Sequence, residues 1–135
     1  MELFGIECIS RGASQVYFCE KSHIASKMIH QNLEKTRFLD ESIIIEKDYK
    51  ECLKNIKEKN VSFDIIYIDP PYRQNLAVDS VKRILSLDLL KEKGMIIIET
   101  DDEARELEEL KQIGLEASDL RKYGRVSLIF LNRKE

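Results

Sequence analysis

Three carboxylates and one proline-stiffened turn are the residues of this 135-residue chain best suited to chemistry. Asp69-Pro70-Pro71-Tyr72 follows Phe63-Asp64-Ile65-Ile66-Tyr67-Ile68, whose apolar run reads as a strand buried on both faces, as inside a parallel sheet. Proline donates no ladder hydrogen bond and has a fixed φ, so Pro70-Pro71 ends that strand abruptly. Asp69 and Tyr72 are thereby presented at the carboxyl end of a strand, where open α/β sheets bind ligands. An exocyclic amine on a planar base is a weak nucleophile, because its lone pair is delocalised into the ring. Acceptors for its N–H bonds turn that lone pair toward an electrophile. The Asp69 carboxylate and the Pro70 carbonyl are fixed acceptors of this kind, with Pro71 holding the turn. Tyr72 can stack on the base, which contributes about 1–3 kcal/mol. The plainer alternative is an Asp-Pro turn whose tyrosine covers a sheet edge.

Two further acids stand at strand ends. Glu20 closes Gln15-Val16-Tyr17-Phe18-Cys19 and is the type and place that accepts hydrogen bonds from a ribose diol; a solvated loop glutamate is the alternative. Asp48, past Ile43-Ile44-Ile45, can contact an adenine amino group or cap the helix that starts at Tyr49. Arg73, Lys122, Arg125, Arg133 and Lys134 are candidates for a phosphate-facing patch or for solvated charge. Glu103, Glu106, Glu108 and Glu109 read as an exposed helix face and receive no role.

The elements that must position these residues alternate. Leu3, Ile6 and Ile9 have helical spacing and Arg11-Gly12 supplies a stop, predicting a helix over 2–9. A strand over 15–19 follows. Ser22 then caps a helix whose stripe is Ile24, Ala25, Met28 and Ile29. Strands at 42–46, 64–69 and 95–100 alternate with helices carrying Tyr49, Cys52, Leu53 and Ile56, then Val78, Val81, Ile84 and Leu85, then Leu107 and Leu110. Arg73 to Ala77 reads as a loop and Lys93-Gly94 as a turn. Two strands around Tyr123-Gly124 finish a doubly wound, mostly parallel α/β sheet.

One domain over 1–135 is expected from the length. The composition is 43% hydrophobic and 35% charged, with a net charge of −3 that exerts no overall pull on nucleic acid, so any such binding rests on a local patch. No apolar run approaches the ~20 residues of a membrane span, and no secretory signal is visible. Cys8, Cys19 and Cys52 form no CxxC pair and read as reduced cytosolic thiols. His23 and His30 lack a ligand cluster, so no metal is expected.

Gly5-Ile6-Glu7-Cys8-Ile9-Ser10-Arg11-Gly12-Ala13, Glu20-Lys21, Asp64 to Tyr72 and Tyr123-Gly124 resemble the RsmD-type 16S rRNA (guanine-N2) methyltransferases. The resemblance covers essentially the whole chain. It implies a Rossmann-like class I methyltransferase sheet with a C-terminal antiparallel hairpin, S-adenosylmethionine as cofactor, and ribosomal RNA in a small-subunit assembly intermediate as substrate, in the cytoplasm. It also implies that Glu20 binds the cofactor ribose with Lys21 beside it, that Asp48 lies near the adenine, and that Asp69, Pro70, Pro71 and Tyr72 hold the target base. The tetrapeptide is shared with adenine-N6 methyltransferases, which stay open as an alternative, as does a non-catalytic remnant.

In the family, a central strand and a D-x-x-x-G-x-G loop precede the stretch that begins at Gly5. None of the five glycines here forms a G-x-G. The expectation is therefore a partial domain, amino-terminally truncated, with a vacant slot between the strands at 15–19 and 64–69. Closure of the remaining strands, or a second copy of the chain, are the other ways to satisfy those edges. Weak or no binding of S-adenosylmethionine is expected.

Overall fold

A computed structural model describes residues 5–10, 15–36, 42–69 and 76–132. Strands β1 (Gly5–Ser10) and β2 (Gln15–Glu20) are followed by α1 (His23–Thr36), β3 (Ser42–Ile45), α2 (Tyr49–Glu58) and β4 (Phe63–Asp69). Then come α3 (Leu76–Ser86), β5 (Leu90–Thr100), α4 (Glu103–Gln112), β6 (Asp119–Tyr123) and β7 (Val126–Asn132). The strands form one sheet in the order β3-β2-β1-β4-β5-β7-β6. β2 pairs parallel to β3 and β4 parallel to β5, whereas β7 runs antiparallel to both β5 and β6. The mostly parallel sheet with a terminal hairpin is thus as expected.

The amino-terminal segment is not. Residues 5–10 are a strand rather than a helix, and they lie antiparallel between β2 and β4. The slot expected to be vacant is filled from within the chain, in the reverse direction. Helical spacing of three apolar residues is a weak preference. Two facing ladders of backbone N–H and C=O groups are a strong demand, and any extended segment satisfies both at once.

The core lies on one face of the sheet. Ile66, Ile68, Ile96, Ile98 and Ile129 pack there against Leu53 and Ile56 of α2, Val81 and Ile84 of α3, and Leu110 of α4. The right-handed β2–α1–β3 crossover places α1 on the other face. Ser22 Oγ caps α1 by accepting from Ala25 N at 3.2 Å. Ala25, Ser26 and Ile29 are its buried residues, while Ile24, expected in the apolar stripe, is 74% exposed. On the core face Tyr49 Oη donates to Asp79 Oδ2 at 2.6 Å, and Arg83 Nε donates to the same oxygen at 2.8 Å. Burial and the bond to Asp79 raise the Tyr49 phenol to about 12, so this clamp between α2 and α3 persists at neutral pH. Lys93-Gly94 is not a free turn but an irregularity within β5, where the register to β4 jumps from Phe63↔Leu90 to Ile65↔Met95. A Cβ at Gly94 would lie 2.6 Å from Leu90 Cδ1 and 2.7 Å from the Lys91 carbonyl oxygen, so glycine is required there. No helix among the described residues is long and apolar enough to cross a membrane.

Two expectations about side chains are corrected. Cys19 and Cys52 are joined as a disulfide, with their Cα atoms 5.9 Å apart, instead of remaining reduced. They stand 33 residues apart in sequence, and only the packing of α2 on β2 brings them within the range a disulfide spans. Titration of thiols in the unreduced, denatured protein is expected to find one, Cys8; three would refute the crosslink.

The acidic helix α4 is likewise not an exposed face throughout. Glu106 is 1% exposed, and Glu103 accepts a hydrogen bond from Ser127 Oγ at 2.9 Å. Burial, then the neighbouring Glu109 charge, raise the Glu106 carboxyl above the usual range. The folded state therefore binds this proton more tightly than the unfolded chain does. Its contribution favours folding at low pH and is lost as pH rises from the ordinary carboxyl value through the raised folded one. Glu106→Gln should stabilise the protein at pH 7 by something of the order of 1 kcal/mol, since a buried charge is replaced by a neutral amide. Thermal unfolding across pH checks this: a Glu106→Gln curve parallel to wild type from pH 4 to 7 would exclude it.

Candidate active site at the strand ends

The parallel strands β2, β3, β4 and β5 all end at one edge of the sheet, and the first residue of β1 lies at the same edge. The register pairs Gly5 with Glu20 on one side and with Asp69 on the other. The backbones carrying the two acids are therefore separated by two strand spacings, roughly 9–10 Å. Gly5 places no side chain between them. Next to Glu20, Cys19 pairs with Ile45, and the chain runs on through Glu46 and Lys47 to Asp48. The ends of β2 and β4, which carry Glu20 and Asp69 on either side of β1, thus lie at one edge with the segment after β3 that carries Asp48. Lys21, immediately after β2, is exposed at the same edge.

Local chemistry explains each placement. Asp48 has an extended backbone (φ −66, ψ 164), and its Oδ1 accepts from Glu51 N at 3.0 Å, so the capping role is realised. Its half-buried carboxylate retains acceptor capacity beyond that one bond. Asp69 ends a strand whose Ile66 and Ile68 point into the helical core. By alternation Asp69 shares the opposite face with Tyr67, and it is half-buried. Pro70, Pro71 and Tyr72, with Arg73, lie outside the described residues, as do Arg133 and Lys134 of the basic candidates.

Glu99 escaped the sequence reading. Tyr67 Oη donates to Glu99 Oε1, tying β4 to β5 beside Asp69. The signal was available, since Glu99 closes an apolar strand as Asp69 does, but no turn motif followed it. Beyond β5 the edge continues to the β6–β7 turn, because Thr100 pairs with Ser127 and Tyr123 with Val126. Lys122 and Arg125 therefore stand at the same edge as the acids. A cleft of about 300 Å³ between Ile84, Leu115 and Leu131 lies at the opposite end of the sheet and has no part in this arrangement.

The donor set suits a nucleoside. Carboxylates gathered at one edge of the sheet accept from hydroxyl and amino groups. Glu20 and Asp48 are the residues that would hold the adenosine portion of S-adenosylmethionine. Among the described residues, none takes the place of a glycine-rich loop for its methionine end. No group of three His, Cys, Asp or Glu that could hold a metal ion exists among the described residues.

Residues 3–132 match the family model described as Conserved hypothetical protein 95. Ribosomal RNA small subunit methyltransferase D of Haemophilus influenzae is 28% identical over 98 residues, 72% of this chain and 50% of that protein. An O-methyltransferase from Bacillus cereus in complex with SAH superposes with a TM-score of 0.69 at 17% identity, over 89% of this chain and 63% of its own. A conserved hypothetical protein of Streptococcus pyogenes also gives 0.69, at 19% identity, over 86% and 69%. These likenesses establish a class I methyltransferase fold. The chain spans about half the length of the curated relatives it matches. With nearly all of its residues inside the family match, the chain belongs to the Conserved hypothetical protein 95 family, that of the RsmD-type methyltransferases.

Proposed function

We propose that this chain is the methyl-transferring domain of a cytoplasmic enzyme that methylates the exocyclic N2 amine of a guanine in small-subunit (16S) ribosomal RNA. The single observation that carries the reading is Asp69 at the end of a central strand, one glycine away from Glu20, in a chain of this family. An acceptor for an amine and an acceptor for a ribose would then stand at one edge, two strands apart. Bound S-adenosylmethionine supplies a sulfonium methyl, an electrophile that needs no activation by the protein.

The chain's own residues position and polarise. Asp69 accepts an N–H of the target amine and turns its lone pair out of conjugation. The Pro70 carbonyl takes the second N–H, and Tyr72 stacks on the base. Glu20 and Asp48 fix the nucleoside of the donor, with Lys21 beside them. Because positioning dominates, no strong base is needed, and the amine's proton passes to solvent after transfer.

Methyl transfer is measured on small-subunit assembly intermediates with a labelled donor at millimolar concentration, followed by nucleoside analysis. N2-methylguanosine is the expected product; N6-methyladenosine would move the chain to the adenine class. Asp69→Ala should lower the rate by about 10²–10³, the cost of one positioned hydrogen-bonding group, with donor affinity nearly unchanged. Turnover retained by Asp69→Ala would remove the assigned role.

The reversed β1 and the lack of a G-x-G favour a second reading, a binding module that keeps the scaffold without methyl transfer. Calorimetric titration addresses the donor site directly. Affinity for S-adenosylmethionine weaker than micromolar is expected, and a micromolar value would overturn that expectation.

A further inference from the structure

The β6–β7 hairpin occupies the outer edge of the sheet, and its turn reaches the same end as Asp69. All five residues of β6, Asp119–Tyr123, are exposed, and Tyr123 is 60% exposed. Within 121–125 stand three cations and one aromatic ring: Arg121, Lys122, Tyr123 and Arg125. This is a strong local departure for a chain with a net charge of −3.

Alternation sorts these side chains by face. Lys122 pairs with Ser127, which is buried and bonded to Glu103, so Lys122 lies on the α4 side, across from Asp101 and Asp102. Arg121 pairs with Leu128 and its guanidinium lies 5.7 Å from the Phe130 ring centroid, on the opposite face. Tyr123, two residues on, shares that face with Arg121. Asp69, Tyr67 and Glu99 also point there. The register runs Ile68↔Ile98, Ile98↔Ile129 and Ile129↔Leu120, so the next row runs Asp69, Glu99, Leu128, Arg121. Three strand spacings separate Asp69 from Arg121, about 14–15 Å. Tyr123 and Arg125 lie just beyond, at the sheet edge.

The hairpin is held firmly at both ends. Ser118 N and Oγ both donate to the Phe130 carbonyl, at 2.8 and 3.0 Å, and Gly124 takes φ +62 in the two-residue turn. Arg121 is held by Asp119 at 3.3 Å. Lys122 and Arg125 form no ion pair within 4 Å among the described residues, and both line a cleft shared with Asp101, Asp102 and Glu103. A firmly held turn that offers an exposed ring with exposed arginines on either side of it matches a single nucleic-acid strand, whose bases stack and whose phosphates need neutralising.

We infer that the β6–β7 hairpin docks an unpaired RNA strand next to the target nucleotide, Tyr123 stacking on a base while Arg121 and Arg125 take backbone phosphates. The inference rests on the RNA reading above and adds where the flanking strand lies. A double-stranded RNA or a protein partner would not need the stacked ring.

The test is binding of the full chain to an unstructured RNA oligonucleotide, by fluorescence anisotropy over a salt series. Tyr123→Ala should weaken binding about 5- to 150-fold, and Tyr123→Phe should stay within about twofold of wild type. Arg125→Ala should flatten the slope of log affinity against log salt by about 0.7, the value for one phosphate on a single strand. Lys57→Ala, at the other end of the sheet, should leave the slope unchanged. Circular dichroism melts confirm that each variant is folded. Wild-type binding with Tyr123→Ala and Arg125→Ala indistinguishable from it overturns the hairpin assignment alone. No wild-type binding to RNA overturns the substrate reading with it, and equal loss in Tyr123→Phe and Tyr123→Ala rules out stacking.

Discussion

The backbone of β4 must be paired on both sides, and the structure depends on how that is met. β4 is an apolar strand in the middle of the sheet, so an unpaired N–H or C=O along its edge would be buried without water. Each such group costs about 1–3 kcal/mol, far more than the helix preference of a six-residue segment. Gly5–Ser10 satisfies β4 and β2 together. Its reverse direction follows from connectivity. β2 must run parallel to β4 to bring its end to the same edge, and a four-residue link from β1 into β2 permits only an antiparallel pair.

That one strand also sets the site. Because β1 begins at the edge where β2 and β4 end, its first residue separates Glu20 from Asp69, and that residue is glycine. Continuity of the sheet from β3 to β6 then carries the edge from Asp48 at one side to Arg125 at the other. Acids stand at the ends of β2, β4 and β5 and after β3, with Lys21 among them, and cations cluster on the hairpin.

The two faces of the sheet have separate tasks. Helices α2, α3 and α4 cover one face, and the tightest connections lie there: the Cys19–Cys52 crosslink, the Tyr49–Asp79–Arg83 clamp and the buried Glu106. The other face carries the polar row of Asp69, Glu99 and Arg121, with Tyr67 bonded into it. Stability is thus concentrated on the side away from the groups available for binding.

Properties local to the chain were legible in the sequence. The apolar run into Asp69-Pro70 marks a buried strand and its abrupt end. Ser22 and Asp48 cap helices wherever they stand, and Tyr123-Gly124 makes its turn from φ preferences alone. These rest on periodicity, capping and backbone chemistry, which depend on neighbours in sequence. Only tertiary structure could make Gly5–Ser10 a strand, join Cys19 to Cys52, bury Glu106, or bring Arg121 into the row of Asp69. Each of these depends on a partner tens of residues away, and pairing across that distance is decided by which backbone groups and apolar surfaces remain unsatisfied once the local elements exist.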